Sequence, residues 1–180
     1  MARTAIGIDP GTALMGYAIV RETGPDLELL ACDALITTTE LTLAYRLKCL
    51  YDGLIDIIDR YQPTEMAVEE LFFNRNVRSA LAVGQARGVA LLAGANRGLD
   101  VHGYTPLQVK SAISGYGRAG KEQVQEMVRM LLRLAEAPQP DDAADAAAIA
   151  VCHLHTSGNR NLIEQMTAAT SPGRVRRVKR

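Results

Sequence analysis

The order of apolar patterns along the chain constrains its fold more than any other feature of the sequence. Three consecutive segments, residues 4–10, 15–22 and 26–37, are apolar, short and separated by turns, which predicts an antiparallel meander. From Glu40 onwards apolar residues recur at helical spacing, and Pro63 ends this first helix. Short strands and helices then alternate. This order predicts an α/β fold with a five-stranded mixed sheet flanked by helices.

The rest of the chain contributes two further strands and four further helices. The strands are predicted at residues 65–70 and 101–104, and the helices at residues 76–96, from Pro106, at 121–134 and from 141 to about 155. Asp141 is predicted to cap the last helix. Residues 157–180 lack periodicity and end in a basic run, SPGRVRRVKR. The sequence therefore predicts one domain, residues 1–156, followed by a flexible basic tail, residues 157–180.

The net charge of zero conceals an uneven distribution of charge. Residues 72–121 contain seven basic side chains against one acidic, whereas residues 1–71 contain twelve acidic side chains against five basic. A local surplus of positive charge is typical of proteins that bind nucleic acid, although an ordinary solvated surface also accounts for it.

The sequence shows no sign of a membrane segment or a secretion signal. No apolar run approaches the roughly 18 to 20 residues needed to cross a bilayer. The first apolar strand begins within a few residues of Met1, which leaves no room for a signal peptide. We therefore expect a cytoplasmic protein with no membrane partner.

Four acidic residues lie beside apolar segments. Asp9 follows Ile6-Gly7-Ile8, Glu69 ends the fourth strand, and Asp142 and Asp145 are three residues apart on one helix face. Carboxylates in apolar surroundings are costly unless a cation compensates them, and Mg²⁺ and Mn²⁺ prefer oxygen ligands. Two cations about 4 Å apart can activate a water and stabilise a leaving oxygen. The sequence therefore predicts a metal-dependent enzyme acting on phosphodiesters.

Five segments resemble, in the same order, the RuvC-type Holliday-junction resolvases. They are Ile6-Gly7-Ile8-Asp9-Pro10-Gly11 with Gly16-Tyr17, Ala67-Val68-Glu69-Glu70-Leu71-Phe72, Gly84-Gln85-Ala86-Arg87-Gly88, Gln108-Val109-Lys110 and Asp142-Ala143-Ala144-Asp145-Ala146. The resemblance extends from about residue 4 to 156. It implies an RNase H-like fold, a two-fold homodimer, and magnesium-dependent nicking of two opposed strands of a four-way DNA junction.

The resemblance also implies products, cofactors and partners. The nicks would leave 5′-phosphate and 3′-hydroxyl ends. Two Mg²⁺ ions are expected in each active site, with Mn²⁺ as a substitute. A branch-migration complex of RuvA and RuvB type proteins is the expected protein partner.

Site residues follow from the resemblance by position. The predicted catalytic and metal-binding set is Asp9, Glu69, Asp142 and Asp145. The predicted DNA-binding set is Phe72, Phe73, Arg75, Arg78, Lys110, Arg118 and Lys121. Lys110 and Lys121 match basic residues near the scissile phosphate. Phe72 matches an aromatic residue that stacks on bases at the junction centre, and Phe73 could share that role.

Two acidic residues and one helix are left open by these patterns. Glu70 and Asp141 fall outside the family motif, so Glu70 is interpreted as lying beside the ligands or on the surface. The helix at residues 76–96 contains small residues that allow either close contact in a dimer or core packing within one chain.

Three other interpretations of the sequence are weaker. Residues 9–12 resemble the first phosphate loop of actin-like ATPases and sugar kinases, but a second such loop is not visible. A junction-binding module without activity would not need the four acids. Zinc at Cys152, His153 and His155 lacks a second pair of ligands, and His102 is interpreted as structural.

Overall fold

The structure is a computed structural model that describes the backbone of residues 2–70 and 77–170 and the side chains of residues 2–70 and 80–157. The strands are β1 (Arg3–Asp9), β2 (Leu14–Thr23), β3 (Asp26–Ile36), β4 (Glu65–Glu69) and β5 (Asp100–Tyr104). The helices are α1 (Leu43–Tyr61), α2 (Val77–Asn96), α3 (Pro106–Ser114), α4 (Lys121–Leu131) and α5 (Asp141–Thr170).

The five strands form one mixed sheet with the order β3-β2-β1-β4-β5. Strand β2 pairs antiparallel with β1 and β3, whereas β4 pairs parallel with β1 and β5. The meander and the alternating second half are therefore both present, and the predicted five-stranded mixed sheet flanked by helices is confirmed. Within the described ranges, no helix combines the length and the apolar character needed to cross a membrane.

The two faces of the sheet differ in side-chain size because large and small residues alternate along the central strands. Ile6 and Ile8 of β1 pack with α1 and α2 in one buried cluster. Ala5 and Ala67 belong to a second cluster on the other face, formed with α3, α4 and α5. Successive side chains of a strand point to opposite faces, so this alternation leaves one face shallow enough for a helix to approach closely.

Helix α5 lies directly against that shallow face. A Cβ atom on Gly7 would overlap the carbonyl oxygen of Ala146, and one on Gly16 would overlap the carbonyl oxygen of Asp142. Both positions therefore require glycine. Gly16 is also the antiparallel partner of Asp9. The same contact that packs the first turn of α5 thus brings that turn beside the end of β1.

Two helix ends differ from the sequence-based boundaries. Helix α4 ends at Leu131 rather than at residue 134, because the backbone becomes left-handed at Arg133, where φ is 54°. Helix α5 continues to Thr170, so the predicted helix end near residue 155 is wrong, whereas the flexibility of the segment from residue 157 stays a prediction. Residues 171–180 lie outside the described ranges, and for them the flexible tail stays a prediction.

The start of α5 also differs from the prediction, because Asp141 is its first helical residue rather than its cap. The carbonyl oxygen of Pro140 accepts the first backbone hydrogen bonds, from Ala143 and Ala144. The Asp141 side chain instead accepts a hydrogen bond from Gln125 of α4. Asp141 therefore joins α5 to α4.

A buried polar cluster ties α5 to the starts of β1 and β4. Arg3 donates two hydrogen bonds to the Glu65 carboxylate, at 2.9 and 2.7 Å, and Glu65 also lies 2.6 Å from His153 Nε2. The other ring nitrogen of His153 lies 2.8 Å from the Tyr104 hydroxyl. Both nitrogens are engaged, which disfavours the zinc interpretation. His102 stacks on this ring, with centroids 4.8 Å apart, in the structural role expected for it.

Candidate active site

Four acidic residues from three elements lie at one end of the sheet. Asp9 and Glu69 are the last residues of β1 and β4, which are adjacent and parallel, so their ends meet at the same edge. Asp142 and Asp145 lie at the start of α5. Since Gly16 pairs with Asp9 and packs against the Asp142 carbonyl, the start of the helix lies beside this edge.

The electrostatics of the site reflect this proximity. Burial, reinforced by the negative charges of Glu69, Asp145 and Asp142, raises the pKa of Asp9 to about 7. Burial and the charge of Asp145 raise the pKa of Glu69 to about 7 as well, against the opposing charge of Lys110. Burial also raises the pKa of Asp145, although Lys121 counteracts the change. The four carboxylates therefore belong to one group of acids that interact electrostatically.

A pocket of about 180 Å³ opens beside these acids, between α3, α4 and α5. Its charged lining consists of Glu69, Asp145, Lys110 and Lys121. The Lys121 ammonium lies 3.1 Å from a carboxylate oxygen of Asp145 and 3.2 Å from one of Asp141. The structure thus places two of the predicted DNA-binding lysines at the candidate site. Such cations would meet a phosphate that approached the acids.

The chemistry of the acidic set suits a hard divalent cation, because all of its donors are carboxylate oxygens. Among the side chains of residues 2–70 and 80–157, however, no three acidic, histidine or cysteine groups converge as a ready metal shell. The cation that lies against Asp145 is the Lys121 ammonium. An ion bound by this set would therefore compete with the Lys121 ammonium for Asp145.

The remaining predicted site residues are distributed as follows. Arg118 is exposed in the segment between α3 and α4. Phe72, Phe73 and Arg75 lie outside the described residues, and Arg78 belongs to α2 with its side chain outside them, so their roles stay predictions.

The structure places the side chain of Glu70 at the protein surface. Its backbone N–H donates to the Tyr104 carbonyl at 2.8 Å, and its exposed side chain lies over Gly103 of β5. Of the two interpretations, the surface position is the one observed.

Three residues that support the site have no role in the sequence-based prediction. Arg87 of α2 donates from Nε to the carbonyl oxygen of Glu69 at 3.1 Å, which ties the end of β4 to α2. Gly7 and Gly16 admit α5, as described above. The regular alternation of glycine or alanine with isoleucine in β1 is the signal that would have indicated Gly7. An arginine among the small and apolar residues of α2, whose charged residues are Arg78 and Arg87 alone, would have indicated Arg87.

Comparison with known proteins supports one family. The family model described as crossover junction endodeoxyribonuclease RuvC matches residues 5–153. A protein of that name from Desulforamulus reducens is 58% identical over 152 residues, which cover 84% of this chain and 93% of the relative. Another from a Roseiflexus species is 53% identical over 164 residues, which cover 91% of this chain and 98% of the relative.

A solved structure agrees with this assignment. Thermus thermophilus RuvC, determined in complex with a Holliday junction substrate, superposes with a TM-score of 0.82 at 36% sequence identity. The match covers 86% of this chain and 94% of that one. The predicted RNase H-like class is thereby confirmed. Both in sequence and in fold, this chain belongs to the RuvC family of crossover junction endodeoxyribonucleases.

Proposed function

We propose that this chain resolves Holliday junctions by paired, symmetric nicking of two opposed strands, in DNA recombination and repair. The active unit is a homodimer, and the products are 5′-phosphate and 3′-hydroxyl ends. The protein partner expected to act on the junction before this chain does is a branch-migration complex of the RuvA and RuvB type.

One observation carries this proposal. Four carboxylates from β1, β4 and α5 share one end of the sheet, with two lysines in the adjoining pocket, in a chain of the RuvC family. A phosphodiester is itself anionic, so acids alone would repel it. The adjacent lysines supply the attraction that brings the phosphate to the acids.

In the proposed reaction the acids and the lysines have separate roles. Asp9, Glu69, Asp142 and Asp145 would hold two divalent ions, Mg²⁺ or in its place Mn²⁺. These ions, when bound, lower the pKa of the attacking water and neutralise charge on the leaving oxygen. Lys110 and Lys121 orient the scissile phosphate toward this end of the sheet. The hydrogen bond from the Arg87 side chain to the backbone carbonyl of Glu69 holds the end of β4 in place while the Glu69 carboxylate binds an ion.

The deciding experiment is incubation of the protein with an end-labelled four-way junction and magnesium. We expect symmetric nicks in one pair of opposed strands, and ligation should reseal the products. Junction binding without nicks would instead support the non-catalytic module, and ATP turnover would support the kinase-like alternative. A linear duplex of the same sequence is the control substrate and should remain uncut.

The pH dependence of cutting follows from the raised pKa values of Asp9 and Glu69. Both carboxyls have a pKa of about 7, so each is mostly protonated at pH 6 and mostly ionised at pH 8. A protonated carboxyl is a poor metal ligand. At limiting magnesium, the single-turnover cutting rate should therefore increase by about tenfold or more between pH 6 and 8. A flat profile under these conditions would contradict this assignment of ligands.

We further propose that the dimer forms through α2. Leu81, Gly88 and Leu92 recur on one side of this helix at spacings of seven and four residues, and all three are exposed. Among the described residues outside its own helix turns, a Cβ on Gly88 would meet no atom within 4 Å. An apolar stripe with a glycine at its centre allows two helices to pack closely, as a two-fold interface requires.

Replacing Leu92 with glutamate should convert the dimer to a monomer, because the charge would be buried at the interface. Leu92 is 54% exposed in the single chain, so the fold itself should tolerate the change. Light scattering coupled to size exclusion measures the mass. The matched control is Leu107→Glu on α3, where the leucine is 60% exposed and the mass should be unchanged. A dimeric Leu92→Glu protein would exclude this surface.

A further inference from the structure

Lys121 forms one ion pair with a proposed metal ligand and a second with an acid outside the proposed ligand set. It is the first residue of α4, and its ammonium lies between Asp145, a proposed metal ligand, and Asp141, which the family motif does not include. The two distances, 3.1 and 3.2 Å, are nearly equal. An ammonium has three donors and can satisfy both carboxylates at once.

Asp141 is itself held in position from α4. Its second carboxylate oxygen accepts a hydrogen bond from Gln125 Nε2 at 3.1 Å. Gln125 follows Lys121 by four residues and therefore lies one turn further along the same face of α4. Two side chains of α4 therefore contact the Asp141 carboxylate. The backbone carbonyl of the neighbouring Asp142 packs against Gly16 of the sheet.

We propose that Asp141, braced by Gln125, is a positioning residue that keeps Lys121 at the mouth of the active site when Asp145 engages a metal ion. This inference rests on the proposed function. Asp145 cannot give the same oxygen fully to a divalent ion and to an ammonium. Asp141 offers Lys121 a second anchor that does not compete with the ion, within reach of the same site.

The physical need for such an anchor comes from the lysine side chain. Its four-carbon stem has many rotamers, and the side chain of Lys121 is 50% exposed, so the ammonium loses considerable conformational freedom when it is held in one place. Without Asp141, Lys121 has two alternatives. It either stays on Asp145, where it opposes metal binding, or moves into solvent, where it no longer meets the phosphate. The first alternative weakens metal binding and the second weakens the contact with the phosphate, although the metal-binding carboxylates themselves are unchanged.

The test is a double-mutant cycle between Asp141→Ala and Lys121→Gln, read by two measurements. The first is Mn²⁺ affinity by calorimetry in the absence of DNA. Asp141→Ala alone should weaken Mn²⁺ binding by about threefold to tenfold, because Lys121 then pairs with Asp145 alone. In the Lys121→Gln background the same substitution should have little further effect.

The second measurement is cutting of a junction under single-turnover conditions. Asp141→Ala should lower the cutting rate on the order of tenfold while junction affinity stays unchanged. Asp141→Asn keeps an oxygen acceptor for Lys121 and should recover part of that loss. In the Lys121→Gln protein, removal of Asp141 should again add little.

Glu122→Ala is the matched control, because Glu122 is an exposed acid of the same helix turn. It should leave both measurements unchanged. Additive effects of Asp141→Ala and Lys121→Gln, or an equal effect of Glu122→Ala, would overturn the proposal in favour of a general charge effect. If the wild-type protein failed to cut junctions, the proposed function would fail, and the Mn²⁺ cycle would still decide whether Asp141 acts through Lys121.

Discussion

Asp9→Asn is expected to abolish junction cutting, with a loss of about a thousandfold or more, while junction binding is retained. Asparagine has nearly the same shape as aspartate but lacks the negative charge with which Asp9 would help to hold a divalent cation. The lysines proposed to attract the DNA backbone are not altered. Gel-shift binding in calcium and single-turnover cutting in magnesium measure the two properties separately.

The same substitution should stabilise the fold at pH 8 when divalent ions are absent. The pKa of Asp9 rises from 3.8 in the unfolded chain to about 7 in the folded protein, so the folded state binds more protons between these values. Stability is therefore lost as the pH rises through about 7, and asparagine avoids that loss. The gain should be about 4 kcal/mol at pH 8 and should vanish below pH 4.

Asp56→Asn on α1 is the matched control, since Asp56 is exposed and lies outside the acidic set. It should change neither cutting nor the thermal midpoint. If Asp9→Asn lost cutting and binding together, Asp9 would serve the DNA surface and its assignment as a ligand would be wrong. If Asp9→Asn lowered the midpoint at pH 8, the cost of burying a charged Asp9 beside other acids, inferred from its raised pKa, would be absent.

Gly16→Ala should destabilise the protein and inactivate it together. The added Cβ would overlap the backbone carbonyl of Asp142, and no side-chain rotation can relieve a clash with backbone. Helix α5 must move away from β2, which separates Asp142 from Asp9. We expect a loss of about 3 kcal/mol or more, which lowers the thermal midpoint by roughly 6–12 °C for a chain of this size.

Gly120→Ala is the control for stability. Gly120 has φ −69°, a value open to any residue, and a Cβ there would meet no atom within 4 Å in the part of the chain that the structure describes, its immediate neighbours apart. The free energy of unfolding of Gly120→Ala, measured from its thermal midpoint, should differ from that of the wild type by no more than about 1 kcal/mol. A Gly16→Ala protein with wild-type stability and cutting would show that the close approach of α5 is not what assembles the acids.

Local signals in the sequence were sufficient for most of the secondary structure. Apolar spacing distinguished strands from helices because a strand repeats every two residues and a helix every 3.6. Pro63 ended α1 where predicted, and Pro106 began α3, whose capping box between Thr105 and Gln108 is also a local feature. The five strands and five helices could therefore be predicted without tertiary information.

The end of α5 could not be predicted in the same way. Residues 157–170 have no apolar stripe, although several of them are good helix formers. The first turn beyond the predicted end is held instead by a distant residue, because Arg3 donates to the Leu154 carbonyl and the Ser157 hydroxyl. Helix ends that depend on such partners leave no local pattern.

The sequence by itself determined the order of the elements and the identity of the four acids, because periodicity and motif resemblance are properties of the linear chain. Only the tertiary structure decided that Gly7 and Gly16 admit α5, that Asp9 and Glu69 titrate near pH 7, and that Lys121 lies between Asp141 and Asp145. The physical reason is that electrostatic and packing energies depend on distance and burial in space. Residues separated by more than a hundred positions in the sequence come within such distances, and become buried together, only when the chain has folded.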